Sequence, residues 1–359
     1  MTNIELAIFI KRLEAICQEM GLILRRAAFS TNIKDRLDFS CALFDSTGAL
    51  FAQAAHIPVH LGSMAFAMRD IVNTISWREG DILILNDPFL GGTHLPDITF
   101  ISPIFSNREI LGFVANRAHH ASIGSSTPGS MPISSTLEEE GHIITPTFLV
   151  RAGKLDLALL ERLSEVGGIT ARGDISAQQS ANNIGLQRLI AVVKKMGSAR
   201  FLEGIEEVNA YGARIALSAL SSIPQGCYSF TDIMDDDGKG NFDLSINCHI
   251  EVSSSRLDID FKGTAQQVAG NVNCPLSVTA ASAYYVFRCL LPVYTPSCDG
   301  VFQYLNITAP EGSLVNASRP AAVAAGNVET SMRIVDVILG ALHQALPAKI
   351  PAASQGTMN

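Results

Sequence analysis

A chain of 359 residues, 47% hydrophobic and 17% charged, holds enough apolar mass for a large core and two domains, or for an extensive obligate interface. A net charge of -8 with no Lys/Arg block excludes nucleic-acid binding through a basic footprint. No run of about 18 uncharged apolar residues occurs, which excludes a membrane-spanning helix.

The opening stretch, MTNIELAIFIKRLEAICQEM, breaks its apolar residues with charges, so neither a secretory signal nor a targeting peptide is expected. Instead the spacing of Ile4, Ile8, Phe9, Leu13, Ile16, Cys17, Met20 and Leu24 predicts a long helix over 4–28, with Arg25 and Arg26 suiting its C-terminal dipole. LDFSCALFDSTGALFAQ reads as a hairpin turned at DSTG. HLGSMAFAMRDIVNTI reads as a helix. GDILILNDPF and DITFISPIF read as strands joined by a glycine turn, and SNREILGFVANRAHH as a turn and a strand ending at His119 and His120. Residues 155–166 and 174–222 are expected to be mostly helical, with breaks at glycines. From about 225 the pattern alternates as strands do, punctuated by DDDGKGN, with helices expected at 278–290 and 329–345. The whole predicts an α+β fold of mixed sheets and long helices. It divides into residues 1–222 and a β-richer region, 223–359.

The seven cysteines are Cys17, Cys41, Cys227, Cys248, Cys274, Cys289 and Cys298. The number is odd and no C-x-x-C pair occurs, which argues against a disulfide framework or a thiolate zinc site. Buried thiols in a reducing cytoplasm are the expectation.

The chemistry gathers at NDPFLGGTHLPDITF and NRAHHASIG. Divalent transition metals favour His nitrogen and carboxylate oxygen, and an H-x-x-D pair on one turn can aim both side chains inward. A third ligand from a strand end completes a set with open positions. His94, Asp97 and His119 meet that demand. A fourth carboxylate is offered by KDRLDFS, with Asp38, which opens an apolar strand, ahead of Asp35. Each residue alone has a plainer explanation: Asp97 as a turn former, His94 bonded to backbone, His119 or His120 as half-buried imidazoles. Taken together, the three favour a metal. His56 and His60 form a second pair, split by Pro58, for which packing is the simpler account and a pocket entrance the other. His142 is expected on a mobile loop, and His249 and His343 in structural places. GSSTPGSMPISSTLEEEG has the length of a lid or binding loop. DDDGKGN lacks an EF-hand's distal Glu and reads as a hairpin loop, and no Walker A lysine motif is present.

These strings, together with DRLDFSCALFDSTGALFAQAAHIPVHLGSM, GDISAQQSANNIG and GNVETSMRIVDVILGALHQALPAKIPAASQGTMN, make the chain resemble the hydantoinase B/5-oxoprolinase family, the HyuB-like subunits, nearly end to end. Members of that family continue past ASQGTMN, so the resemblance implies a truncated or split subunit. It further implies a HyuA-like ATPase partner that binds ATP and phosphorylates a small cyclic amide or ketone, in a cytoplasmic hetero-oligomer. The B-type subunit then completes the reaction at a divalent metal (Mn, Zn or Fe). The implied ligands are His94, Asp97 and His119, with Asp38 added, and His120 is a proton shuttle or a buttress to the ligands. Three readings follow from the resemblance: an ATP-dependent cyclic amidase of hydantoinase or 5-oxoprolinase type, a carboxylase subunit of acetone or acetophenone type, and an inactive scaffold for the partner.

Overall fold

The computed structural model describes residues 1–54, 57–127, 129 and 131–356, so His56 lies outside the described residues. Helix α1 (Asn3–Ala27) starts at a capping box, in which Thr2 and Glu5 satisfy each other's backbone amides. It buries Leu6, Phe9, Ile10, Leu13, Ile16, Cys17, Met20 and Leu24. Ile4 and Ile8 fall outside that stripe, 74% and 57% exposed, because the buried face is centred on Phe9 and Leu13 rather than on them. A single helical turn, α2 (Thr31–Lys34), leads into the hairpin β1 (Phe39–Asp45) and β2 (Leu50–Ala54).

Helix α3 (Pro58–Thr74) begins with proline in its first turn, where the missing N–H costs nothing. Strands β3 (Ile82–Leu85), β4 (Asp97–Ser106), β5 (Glu109–His119), β6 (Thr147–Arg151) and β7 (Lys154–Leu155) follow. All join one antiparallel sheet in the order β2-β1-β5-β4-β3-β6-β7. Helices α4 (Leu157–Gly167), α5 (Ala171–Met196) and α6 (Ser198–Leu220) come next, the last two separated at Gly197, whose φ of 83° suits glycine. The second sheet has the order β11-β10-β9-β8, from β8 (Gly226–Asp236), β9 (Phe242–Val252), β10 (Leu257–Asp260) and β11 (Leu305–Thr308). Helices α7 (Leu276–Cys289) and α8 (Ser331–Ala345) complete the α+β architecture.

Two faces of the large sheet matter for function. Strand side chains alternate between faces. On β5, Val114 and Ala118 join the apolar cluster shared with α1 and α5, whereas Phe113 and Ala115 join the cluster under α3. The same alternation sends Asn116 to Asn182 of α5 and Arg117 to Ser63 of α3. The larger core cluster runs continuously from α1 through α6 to the second sheet and α8.

DDDGKGN is a hairpin loop: Asp237 Oδ1 accepts from the amides of Lys239 and Asn241. The thiols of Cys17, Cys41, Cys248, Cys274 and Cys298 are buried and free, as composition suggests. Cys227 and Cys289 depart from that expectation and lie exposed, Cys227 on β8, which ends the second sheet's strand order among the described residues. Residues 131–144 are no free lid. Leu137 N donates to Pro320 O at 3.0 Å, and Asn271 Nδ2 to Pro132 O at 2.5 Å. His142 is tied too, its amide donating to Ile123 O at 2.7 Å. His249 and His343 are exposed.

Candidate metal centre

The glycine turn is built by its own first residues. Asn86 is buried, accepts from Ile144 N at 2.6 Å and donates to Leu95 O at 2.7 Å. Asp87 caps a short 3-10 turn through Phe89 N at 3.1 Å and pairs with Arg319. Gly92 must be glycine: a Cβ there would lie 2.4 Å from Asn86 O and 2.8 Å from Asp87 O, both backbone. The turn closes with Asp97 N donating to His94 O at 3.1 Å, and β4 starts at Asp97.

The sheet then brings the third residue across. Antiparallel register pairs Asp97 directly with His119. His119 N also donates to Asp38 O at 3.0 Å, which sets Asp38 beside the same strand end. His94, Asp97 and His119 each present a ligand atom within 4.8 Å of the others, all buried. Asp38, His60 and Asp97 do the same, with Asp38 half-buried rather than fully interior. His94 and His119 meet edge to face, with ring centroids 5.0 Å apart.

Hydrogen bonds divide the ring and carboxylate atoms into engaged and open ones. His94 Nδ1 donates to Ala324 O at 3.3 Å, which turns its Nε2 toward Asp97 Oδ1, also at 3.3 Å. Both of those atoms are buried and, among the described residues, have no hydrogen-bond partner besides each other. Asp97 Oδ2, by contrast, accepts from Thr93 Oγ1 and from His60 Nε2, the latter at 3.2 Å. His60 Nδ1 in turn faces Ser40 Oγ at 3.2 Å. His119 Nδ1 lies 2.8 Å from the Asn32 amide, so Nε2 is its remaining nitrogen. Nε2 and Oδ1 face each other at ion-pair distance, so a proton or a divalent metal can lie between them, and imidazole with carboxylate is the donor set that divalent transition metals take. The residues therefore fit the metal that the motif implies.

The charges agree. Burial alone would lift the Asp97 carboxyl, yet the His94 and His60 charges beside it hold it well below the usual range, so it is ionised. Burial would lower His94, but Asp97 outweighs it and the net shift is upward. His119 is lowered, by burial first and the His94 charge second, and presents a neutral imidazole near pH 7. Arg117 is buried and, among the described residues, has no carboxylate partner: Nε donates to Thr99 Oγ1 at 2.8 Å, Nη1 to Ser63 Oγ at 2.7 Å and Nη2 to Gly91 O at 2.7 Å. Burial pushes it down to about 10, opposed by Asp97. It fastens the glycine turn to α3 and β4.

His120 is not brought into either cluster. One residue on from His119, it turns to the α5 side, where Nε2 donates to Gln178 Oε1 at 2.8 Å. Gln178 donates onward to Ile98 O and Asn116 Oδ1, at 2.8 and 2.9 Å. Sequence reading underweighted His60, and passed over Asn32, Asn86, Arg117 and Gln178. The signal for Gln178 was there: Asp174, Gln178 and Asn182 recur every fourth residue on one face of α5, and all are buried.

A family model described as hydantoinase B/oxoprolinase matches residues 2–359. The chain belongs to the hydantoinase B/oxoprolinase family. An uncharacterised protein of Methanocaldococcus jannaschii is 42% identical over 96% of this chain and 62% of its own length. The 5-oxoprolinase of Saccharomyces cerevisiae is 37% identical over 99% of this chain but 28% of its own length. Among solved structures, the ATP-dependent caprolactamase from Pseudomonas jessenii superposes with a TM-score of 0.91 at 27% identity, covering 97% of this chain and 61% of that one. The chain thus spans under two thirds of the length of these hydantoinase B/oxoprolinase relatives. No helix among the described residues is long and apolar enough to cross a membrane.

Proposed function

We propose that the chain is the hydrolytic part of an ATP-dependent cyclic amidase, acting on a phosphorylated lactam or hydantoin ring at a divalent metal held by Asp38, His94, Asp97 and His119. A single observation carries this: His94, Asp97 and His119 present ligand atoms within 4.8 Å of one another in a buried place, with His94 Nε2 and Asp97 Oδ1 3.3 Å apart. The kinship to 5-oxoprolinases and the likeness to a caprolactamase support the substrate class.

A ring amide resists water because of amide resonance. Phosphorylating its oxygen makes the carbon imidate-like and supplies a leaving group, a step that falls to a HyuA-like ATPase subunit in this reading. A bound Mn, Zn or Fe ion supplies positive charge that polarises oxygen and brings the pKa of water toward neutrality. The chain's own residues prepare for that ion. Ala324 O holds the His94 ring so that Nε2 faces inward. His60 and Thr93 hold Asp97 through one oxygen and leave the other open. His119 is kept neutral by burial. We give His120 the buttressing role, since its Nε2–H is committed to Gln178 and through it to β4 and β5.

The test is hydrolysis of 5-oxoproline, hydantoin and caprolactam by the chain together with its ATPase subunit, alongside elemental analysis. His94→Ala and Asp97→Ala are expected to lose the metal and ring opening while the partner's phosphorylation step persists. Ring opening at wild-type rate in both variants would overturn the proposal. Incorporation of labelled bicarbonate into a ketone would assign the site to carboxylation instead.

A further inference from the structure

A cleft of about 780 Å³ is lined by the front of the glycine turn, Pro88 to Gly91, and by none of the residues in the two ligand clusters. Its volume is within the range of small-molecule sites, about 300–1,000 Å³. Nothing in the proposed chemistry uses it. Helix α3 supplies one wall, with Phe66, Ile71 and Asp70, and residues 311–319 supply another, with Glu311 and Arg319. The turn runs between these walls. At one end Gly91 lies against α3, where a Cβ would come 2.4 Å from Ala67 Cβ. Toward the other, the Arg319 guanidinium sits 5.2 Å from the centre of the Phe89 ring.

Arg319 is fixed in place. It pairs with Asp87, which is fully buried and itself accepts from Phe89 N at 3.1 Å. Among the described residues that pairing commits one of the guanidinium's five N–H donors, and the side chain stays 43% exposed. Asp70 is exposed, and no ion pair holds its carboxylate among the described residues. The cleft thus offers a fixed cation on one wall and a free carboxylate on the other, with Phe66, Ile71 and Leu90 as apolar surface. Glu311, on the same segment as Arg319, faces Ser318 Oγ at 3.5 Å. Two carboxylates against one guanidinium disfavour a net anion and suit a ligand that brings its own ammonium.

We infer that the cleft binds the ring-opened product of a lactam, an amino acid whose carboxylate sits on Arg319, whose ammonium sits on Asp70 and whose alkyl chain lies along Phe66, Ile71 and Leu90. Water that opens a lactam breaks the C–N bond, leaving a carboxylate on the carbon and an amine, protonated near neutrality, on the nitrogen. The former ring's alkyl chain joins the two. Opening a hydantoin instead leaves that nitrogen in a urea, with no ammonium for Asp70. The cleft therefore favours the lactam half of the cyclic-amide reading, and the ligand's identity as a product rests on that reading.

The experiment titrates the metal-free chain, in which no ion can chelate an amino acid, with 5-aminopentanoate, pentanoate and N-carbamoylglycine, read by backbone amide shifts in NMR. Wild type is expected to bind 5-aminopentanoate about two- to fivefold more tightly than pentanoate, the margin an exposed ion pair supplies. Asp70→Asn, on the exposed face of α3, should erase that margin and leave pentanoate unchanged. Arg319→Gln should weaken both acids about tenfold or more. If R319Q does not fold, because Asp87 is left buried without its partner, R319K takes its place and should still weaken both, since an ammonium lacks the guanidinium fork. Equal affinity for 5-aminopentanoate and pentanoate in wild type, no binding of either, or a margin that survives in D70N would overturn the inference. Tighter binding of N-carbamoylglycine than of 5-aminopentanoate would overturn the ammonium subsite. Lactam hydrolysis by the chain with its ATPase subunit, without amino-acid binding here, would sink this site and leave the proposed function. Amino-acid binding without hydrolysis of any lactam would keep the site and overturn its assignment to a product.

Discussion

Replacing His60 with alanine is the sharpest test of the centre, because the residue touches Asp97 without needing to touch a metal. The ring is 1% exposed and bridges Asp97 Oδ2 and Ser40 Oγ, each at 3.2 Å. Losing a hydrogen bond to a buried carboxylate costs about 1.5–3 kcal/mol. The cavity left by the ring adds to that, giving about 3–4 kcal/mol for the metal-free protein. The effect on metal is separate. Asp97 would keep Thr93 as its orienting donor but lose His60, and such losses weaken metal affinity about 10- to 100-fold. That is about 1.4–2.8 kcal/mol. Urea unfolding with and without saturating zinc or manganese measures both quantities, since bound metal stabilises the folded chain according to its affinity. The midpoint without metal should fall, and the increment gained on adding metal should shrink by the second amount. His60→Gln, which restores a donor near the same place, should recover much of the increment. An increment equal to wild type in H60A would refute the idea that His60 orients Asp97.

Arg117→Ala should cost about 3–5 kcal/mol in the same denaturation assay, because two buried acceptors and one half-buried acceptor lose a shared donor and a large cavity opens. Arg117→Lys should recover little, since an ammonium cannot span the three directions of the guanidinium fork; near-complete recovery would count against the account. Gly92→Ala should cost about 2 kcal/mol or more, as its Cβ would meet the carbonyl oxygens of Asn86 and Asp87 at 2.4 and 2.8 Å. It should also lower metal occupancy, read by elemental analysis. For pH, Glu140 has its folded pKa raised by burial from 4.5 to about 7. The stability it contributes is therefore complete below about 4.5 and is lost as pH rises through about 7. Urea midpoints of metal-free protein should fall across that window, and E140Q should flatten the fall; an equal fall in E140Q would show that another group causes it.

What the residues alone determined is the local grammar. Helix α1, the DSTG hairpin, the strands around the glycine turn, α7 and α8 were legible because apolar periodicity and turn chemistry act within a few residues. The grouping of His94, Asp97 and His119 was legible for a related reason: two of them share one turn, and the third ends the strand that pairs with β4 through the next hairpin. Tertiary structure decided everything that depends on distant segments. His60 joins Asp97 because α3 packs over the sheet, although in sequence it is 37 residues away. His119 and His120 look equivalent as neighbours, yet strand alternation sends one to His94 and Asp97 and the other to Gln178 on α5. Ala324 reaches His94 from 230 residues along the chain, and it has no polar side chain by which a sequence could betray it. Its contribution is a backbone carbonyl, a group that every residue carries, so only the folded path of the chain determines where that oxygen acts.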